Sequence, residues 1–469
     1  MNFHDIILNT VMEVAMNTSF RNKDFYKVMI AIALPIILQN LIASSVNMLD
    51  TLMITSLGNE SLAAVGLANQ VFFFYSVTIF GVATGSSIFI SQFWGKNDRD
   101  NIGRIMGLSL TLTCFLGVLF TLAALIAPES IMNIFSSDSE VIRLGVDYLR
   151  IVSLSYVITG VSFTYAVASR SIGEAKMPMV ASMLSFATNA LFNYLLIFGK
   201  FGFPQLGIKG AAYGTLIARV LEIILILYSI YSSKENPLAH SISSMTSWSK
   251  DFVKKYFKTA YPVILNEAFW SLGTVLYSLA YAKIGTDAAA AIQILNTVQN
   301  IFLVMARGLA NACTVMVGNK IGADKEAEAV EYANSFMILS VGVGLVLGAA
   351  LFLTTDGILL FFRNITPELH AASKKLLIVL AFFLSLKSFN GTLIVGVLRG
   401  GGDTKFSMVL EMGSVWLVGV PLAFLGALVF KLPVYYVFIL VNMEEVVKAA
   451  IGLPRITSKK WVTNVIRDM

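Results

Sequence analysis

The 469-residue chain is 57% hydrophobic and 13% charged, with a mean hydropathy of +0.76. A soluble chain carries about 25% charged residues, so this balance excludes an ordinary soluble protein. Two cysteines inside apolar runs (Cys114, Cys313) and three scattered histidines offer neither a disulfide framework nor metal-ligand spacing.

The first 24 residues do not read as a cleaved signal. Asp5 and Glu13 stand where a basic segment belongs, and no A-x-A site follows. Residues 1–24 read equally as a short amphipathic surface helix or as a disordered leader. Apolar stretches of membrane-spanning length then recur to the end of the chain. Six are predicted near 28–56, 62–94, 100–126, 141–171, 177–198 and 210–232, within an N-lobe of residues 25–232. A polar segment, 233–252, with Pro237 and a serine-rich run, reads as a cytoplasmic linker. Six more follow near 253–284, 288–318, 326–354, 368–399, 405–430 and 433–455, forming a C-lobe of residues 253–455, with 456–469 as a cytoplasmic tail.

Lysine and arginine set the expected orientation. The side holding the N-terminus and the even-numbered connections carries 21 of them, the other side 7. Both termini are therefore expected in the cytoplasm. This topology accounts for the net charge of +6 without a nucleic-acid partner.

The chain repeats itself. An offset of 227 superposes Pro35 on Pro262, Gly58 on Gly285, Asn69 on Asn296, Gly81 on Gly308 and Gly95 on Gly322; an offset of 229 superposes Arg170, Gly173 and Lys176 on Arg399, Gly402 and Lys405. Six spans per copy is an even number, so both copies insert the same way. The expected fold is all-α: twelve transmembrane helices in two parallel six-helix repeats around a central cavity. Parallel repeats characterise transporters that work by alternating access.

The motifs Leu34-Pro35 … Asp50-Thr51 … Gly58, Asn69 and Gly81, and Arg170-x-x-Gly173-x-x-Lys176 resemble those of the multidrug and toxic compound extrusion (MATE) transporters. So do Tyr261-Pro262 … Glu267 and the run Leu398–Lys405 in the second half. The resemblance extends over residues 25 to 455. It implies a plasma-membrane (bacterial inner-membrane) antiporter that exchanges protons or sodium for organic, cationic compounds, with no enzymatic activity and no cofactor beyond the coupling ion.

Charged and amide side chains inside spans mark candidate sites. Asp50 reads as a coupling-ion carboxylate or as a helix-end acid. The resemblance favours the first and adds Asn189 and Asn193, which share a helix face at i, i+4 spacing. Glu267 reads as a substrate and proton carboxylate, with Trp270 and Tyr277 as companions, or as a buried acid paired with Lys387 or Arg307. Gln39, Asn40, Asn69, Gln70 and Asn296 give a polar seam for the cavity. The tenth span holds no acid, so Glu267 is expected to stand alone, and a lone buried carboxylate holds its proton tightly. Protons are therefore the expected coupling ion. A lipid-linked sugar flippase and a non-transporting scaffold are the rival readings, disfavoured by the neutral-to-acidic seam and by the acids in both lobes.

Overall fold

The computed structural model describes residues 23–233, 235–362, 366–467 and 469. The expected leader lies outside them apart from Lys23 and Asp24. Helices account for nearly all of the described residues, and among these the one β feature is an isolated bridge between Gly402 and Val462.

In chain order the first half runs α1 (Lys23–Thr55), α2 (Asn59–Gly95), α3 (Arg99–Ile126), α4 (Pro128–Phe135), α5 (Ser139–Val152), α6 (Ser155–Ser171), α7 (Lys176–Phe198) and α8 (Ile208–Tyr231). A short α9 (Ile242–Met245) lies in the linker. The second half runs α10 (Lys250–Ala282), α11 (Thr286–Gly322), α12 (Glu326–Leu359), α13 (Pro367–Arg399), α14 (Thr404–Val429) and α15 (Val434–Thr457).

Ten of these helices are long and apolar enough to cross a membrane. The bent pair α5–α6 makes an eleventh span, and α15 completes twelve. α15 is less apolar because it carries Glu444, Glu445 and Lys448, all buried. The expected fourth span, 141–171, is thus a correction: it is broken, with a 49° bend between Val152 and Ser155. Ser155 Oγ donates to the Val152 carbonyl at 2.6 Å, and serine hydroxyls that bond back to the chain compete with regular helix winding. Two spans of the second half also depart from α geometry. α13 ends in a π segment, Thr392–Arg399, and α14 contains two, Val415–Gly419 and Leu425–Val429.

Local structure repeats with the sequence. Gly58 (φ 107°) and Gly285 (φ 151°) end the first turn of each half, and Gly173 (φ 88°) and Gly402 (φ 87°) follow the fourth span of each. Only glycine adopts such angles without strain. Asn97 (φ 59°) and Asp324 (φ 56°), again at an offset of 227, occupy matching left-handed positions.

The chain divides into two compact units. One contains 34–90 and 97–257. Its core centres on Tyr75 and Tyr156, whose rings stack with centroids 5.4 Å apart, while Tyr75 OH donates to the Tyr156 carbonyl at 2.7 Å. Gly103 and Gly107 of α3 leave room for His240 and Met245 of the linker. The other unit contains the described residues up to Ala33, 91–96 and 258–469. Leu376, Leu377, Leu380 and Leu384 of α13 pack there with Leu351 and Val437. The ends of α2 and α11 cross at glycines: Gly95 lies on the Asn319 backbone and Gly322 on the Gln92 backbone. The tail closes over this crossing. Trp461 is fully buried against Gly401, and Thr463 N donates to the Gly401 carbonyl at 2.7 Å. Gln92 Nε2 donates to the Thr463 carbonyl (3.1 Å), and Val465 N donates to Gln92 Oε1 (2.9 Å).

Candidate functional site

In the first unit α1, α7 and α8 bring together Asp50, Asn189 with Asn193, and Thr215. Asn193 Nδ2 donates to Asp50 Oδ1 at 2.6 Å and to Asn189 Oδ1 at 3.2 Å. Asn189 Nδ2 in turn donates to Thr215 Oγ1 at 3.3 Å. The i, i+4 spacing on α7 places both amides on one face, as expected. Asn193 is fully buried, and its Oδ1 has no hydrogen-bond partner among the described residues. That oxygen fits against Gly214, where any Cβ would strike it. Asp50 is half-buried and has no cation at ion-pair distance among the described residues. The site is therefore one carboxylate, two amides and a hydroxyl, with one buried oxygen left to accept.

A second network runs beside it through the same unit. Arg170 donates to Gln39 Oε1, Gln39 Nε2 to Ser182 (2.9 Å), and Ser182 to Glu222 (2.9 Å), which also pairs with Arg219 (2.7 Å). Gln39 thus belongs to a polar chain inside the lobe. Asn69 accepts from Tyr148 OH at 3.5 Å, Gln70 is exposed and Asn40 is half-buried.

The second unit corrects the reading of Glu267. It is not a lone acid, and its partner is neither Lys387 nor Arg307. Arg399, 2% exposed, donates to Glu267 Oε1 at 2.6 Å and to Glu411 Oε2 at 3.1 Å. Asn266 Nδ2 also donates to Glu411 Oε2, at 2.6 Å. The sequence places Arg399 at the cytoplasmic end of the tenth span, but its guanidinium folds back from the π segment to carboxylates of α10 and α14. Burying that charge requires carboxylates around it, and α10 and α14 supply them. Glu411 occupies the place of Ser182 at the 229 offset, so Arg170 and Arg399 sit in related settings, one with amide and hydroxyl groups, the other with acids.

Tyr277, ten residues after Glu267 on α10, belongs to a second cluster. Its hydroxyl donates to Glu444 Oε2. Lys448 pairs with Glu444 (3.0 Å) and Glu445 (3.5 Å), Lys387 pairs with Glu445 (3.5 Å), and Asn390 Nδ2 donates to Glu445 Oε2 (2.7 Å). The second lobe therefore does contain paired carboxylates. They come from α10, α14 and α15 rather than from the tenth span. Trp270 is 40% exposed and joins neither cluster; Asn296 is half-buried on α11.

Sequence reasoning missed Thr215, Glu222, Glu411, Glu444, Glu445 and Lys448. The signal was present for the last three: Glu444-Glu445-x-x-Lys448 breaks an apolar run at i, i+3 and i, i+4 spacing, the geometry of pairing on one helix.

The comparisons with known proteins fit this architecture. A probable multidrug resistance protein NorM from Thermotoga maritima is 25% identical over 439 residues, 93% of each chain. An uncharacterized transporter, YisQ of Bacillus subtilis, is 23% identical, covering 88% of this chain and 90% of its own. A solved outward-facing structure of a multidrug resistance MATE family transporter of the MOP superfamily superposes with a TM-score of 0.84 at 22% identity, over 92% of this chain and 96% of the other. The family model MatE matches residues 35–195 and 262–425, beginning at Pro35 and Pro262, the repeat-related prolines. With more than half of its length matched, this multi-pass membrane chain belongs to the MatE family.

Proposed function

We propose that this protein exports small organic compounds, cationic ones included, by alternating access, and that one sodium ion taken up at Asp50 drives each cycle. The setting is the bacterial inner membrane with both termini cytoplasmic. The relatives' names support multidrug export. The observation that carries the ion assignment is the buried Asn193 Oδ1, without a hydrogen-bond partner among the described residues, beside an Asp50 carboxylate that no cation approaches to ion-pair distance there.

A hard cation prefers several oxygen ligands, and Asp50, Asn193, Asn189 and Thr215 offer a carboxylate, two amide oxygens and a hydroxyl. Rotating the Asn193 amide would turn its oxygen toward the carboxylate as the ion enters. The case for protons rested on a lone Glu267, and its pairing with Arg399 removes that basis. An ion that binds one conformation more tightly than the other shifts the equilibrium between them, and it moves the substrate by the same coupling.

The test uses proteoliposomes loaded with a cationic dye and given one gradient at a time. Sodium applied on the side opposite the dye, at equal pH, is expected to drive dye movement. Movement with a pH gradient and none with sodium would transfer the coupling to protons. Movement with neither would remove ion coupling altogether.

A further inference from the structure

α11 carries two cations outside the networks above: Lys320, which pairs with Glu328, and Arg307. Arg307 lies in the middle of the helix, 21 residues from Thr286 and 15 from Gly322. At 1.5 Å per residue the nearer end is about 22 Å away. Arg307 is nonetheless exposed on its unit, at the point where α11 changes character. From Gly308 to Gly318 every residue except the half-buried Asn311 is buried, whereas Met305 and Ile301 before it are exposed.

Its contacts are neutral. Arg307 Nη2 donates to Asn300 Oδ1 at 3.2 Å, and its carbonyl accepts from Asn311 Nδ2 at 2.8 Å. No carboxylate pairs with it among the described residues, whereas Arg399, Lys387 and Lys448 of the same unit each have one. The fold does not demand a charge here either. At the 227 offset the first repeat has Phe80, 40% exposed, followed by Gly81 and the same kind of enclosed helix. One copy of the motif is built with a phenyl ring and the other with a guanidinium.

An arginine at mid-span does not face acyl chains at tolerable cost; such residues line water-filled passages and mark the path of what passes. A guanidinium there selects an oxyanion, because its planar fork matches a carboxylate with two parallel hydrogen bonds. Asn300 and Asn296, about two and three turns back along the helix, add neutral donors. We infer that Arg307 is a recognition site for an acidic group on the transported compound, a carboxylate or a sulfonate. This rests on the transporter reading for its meaning, but the binding site can be tested without transport.

The probes are a rhodamine free acid and its ethyl ester, the same ring system with and without a carboxylate, titrated by fluorescence anisotropy against purified full-length protein in phosphatidylcholine nanodiscs. Arg307→Gln is expected to weaken binding of the acid by about tenfold, the worth of a charge-assisted hydrogen bond. Ester affinity should not change, which also shows that the variant is folded. Arg307→Lys should retain part of the preference. Equal weakening for both dyes, no change for either, or wild-type protein that fails to bind the acid would each overturn the assignment. An effect of Arg307→Gln that appears only in discs containing phosphatidylglycerol would overturn it too, assigning the arginine to anionic lipid. If the acid preference holds while no ion gradient moves either dye, the anion site stands and the transport mechanism falls.

Discussion

In the unit that holds Asp50, the carboxylate meets an amide, with a second amide and a hydroxyl behind it. In the other unit Glu267 and Glu411 share Arg399, and Glu444 and Glu445 share Lys448, with Lys387 as a further partner. The two settings suit different tasks. A carboxylate already neutralised by a buried cation can take up an ion only by breaking a pair whose rupture strands a charge in low dielectric. A carboxylate held by neutral dipoles can accept a small cation and release it again. On the proposed reading, the two repeat-related lobes divide the work: one exchanges charge and the other locks it. Glu222, paired with Arg219, shows that locking also occurs in the first unit and leaves Asp50 as the exchangeable group.

The sharpest way to break this contrast is Asp50→Asn. It should lower sodium-driven export by about 100-fold, the upper range of coupling between two sites, with insertion and thermal stability close to wild type. A well-expressed variant that exports at the wild-type rate would end the assignment.

The matched arginines come next. Arg399→Met strands Glu267 and Glu411 and should cost about 3–5 kcal/mol. Arg170→Met leaves a neutral glutamine unsatisfied and should cost about 1–2 kcal/mol. Thermal unfolding in detergent gives both values; equal losses would mean that the two lobes do not differ in the way their charges suggest.

Asn193→Ala removes the unpartnered oxygen while leaving the carboxylate. The sodium concentration for half-maximal export should rise by about tenfold or more, as for other losses of a metal-supporting group. An unchanged half-saturation would show that the ion does not use that amide.

The smallest effect is expected from Glu267→Gln, because Glu411 continues to neutralise Arg399. Export of cationic and neutral compounds should fall together, by about threefold at most, as when an interaction is shared by all substrates. A selective loss of cations would return Glu267 to the substrate path and undo its place among the locked charges.

Much of this was legible because helix-length apolar runs and a duplicated order of prolines and glycines are linear features. Pro35 with Pro262 and Gly58 with Gly285 announced two like halves, and Asn189 and Asn193 shared a face by spacing alone. Pairing between distant helices is not linear. Arg399 looked like a loop cation because it precedes three glycines, and nothing local says that its side chain turns inward to acids 132 residues before it and 12 after it. The break after Val152 was equally hidden, since Ser153 and Ser155 interrupt the apolar run no more than serines do in intact spans.

The docked tail bears on how the chain is made. Translation proceeds from the N-terminus, so Trp461, Thr463 and Val465 leave the ribosome after every helix has been synthesised. Yet Gln92, near the end of the second helix, is wholly buried, and its amide meets backbone groups of Thr463 and Val465. Until those residues arrive, the crossing of α2 and α11 holds an unsatisfied glutamine and an open face beside Gly401. A nascent chain can thus have all its spans in place and still be recognisably unfinished at one end.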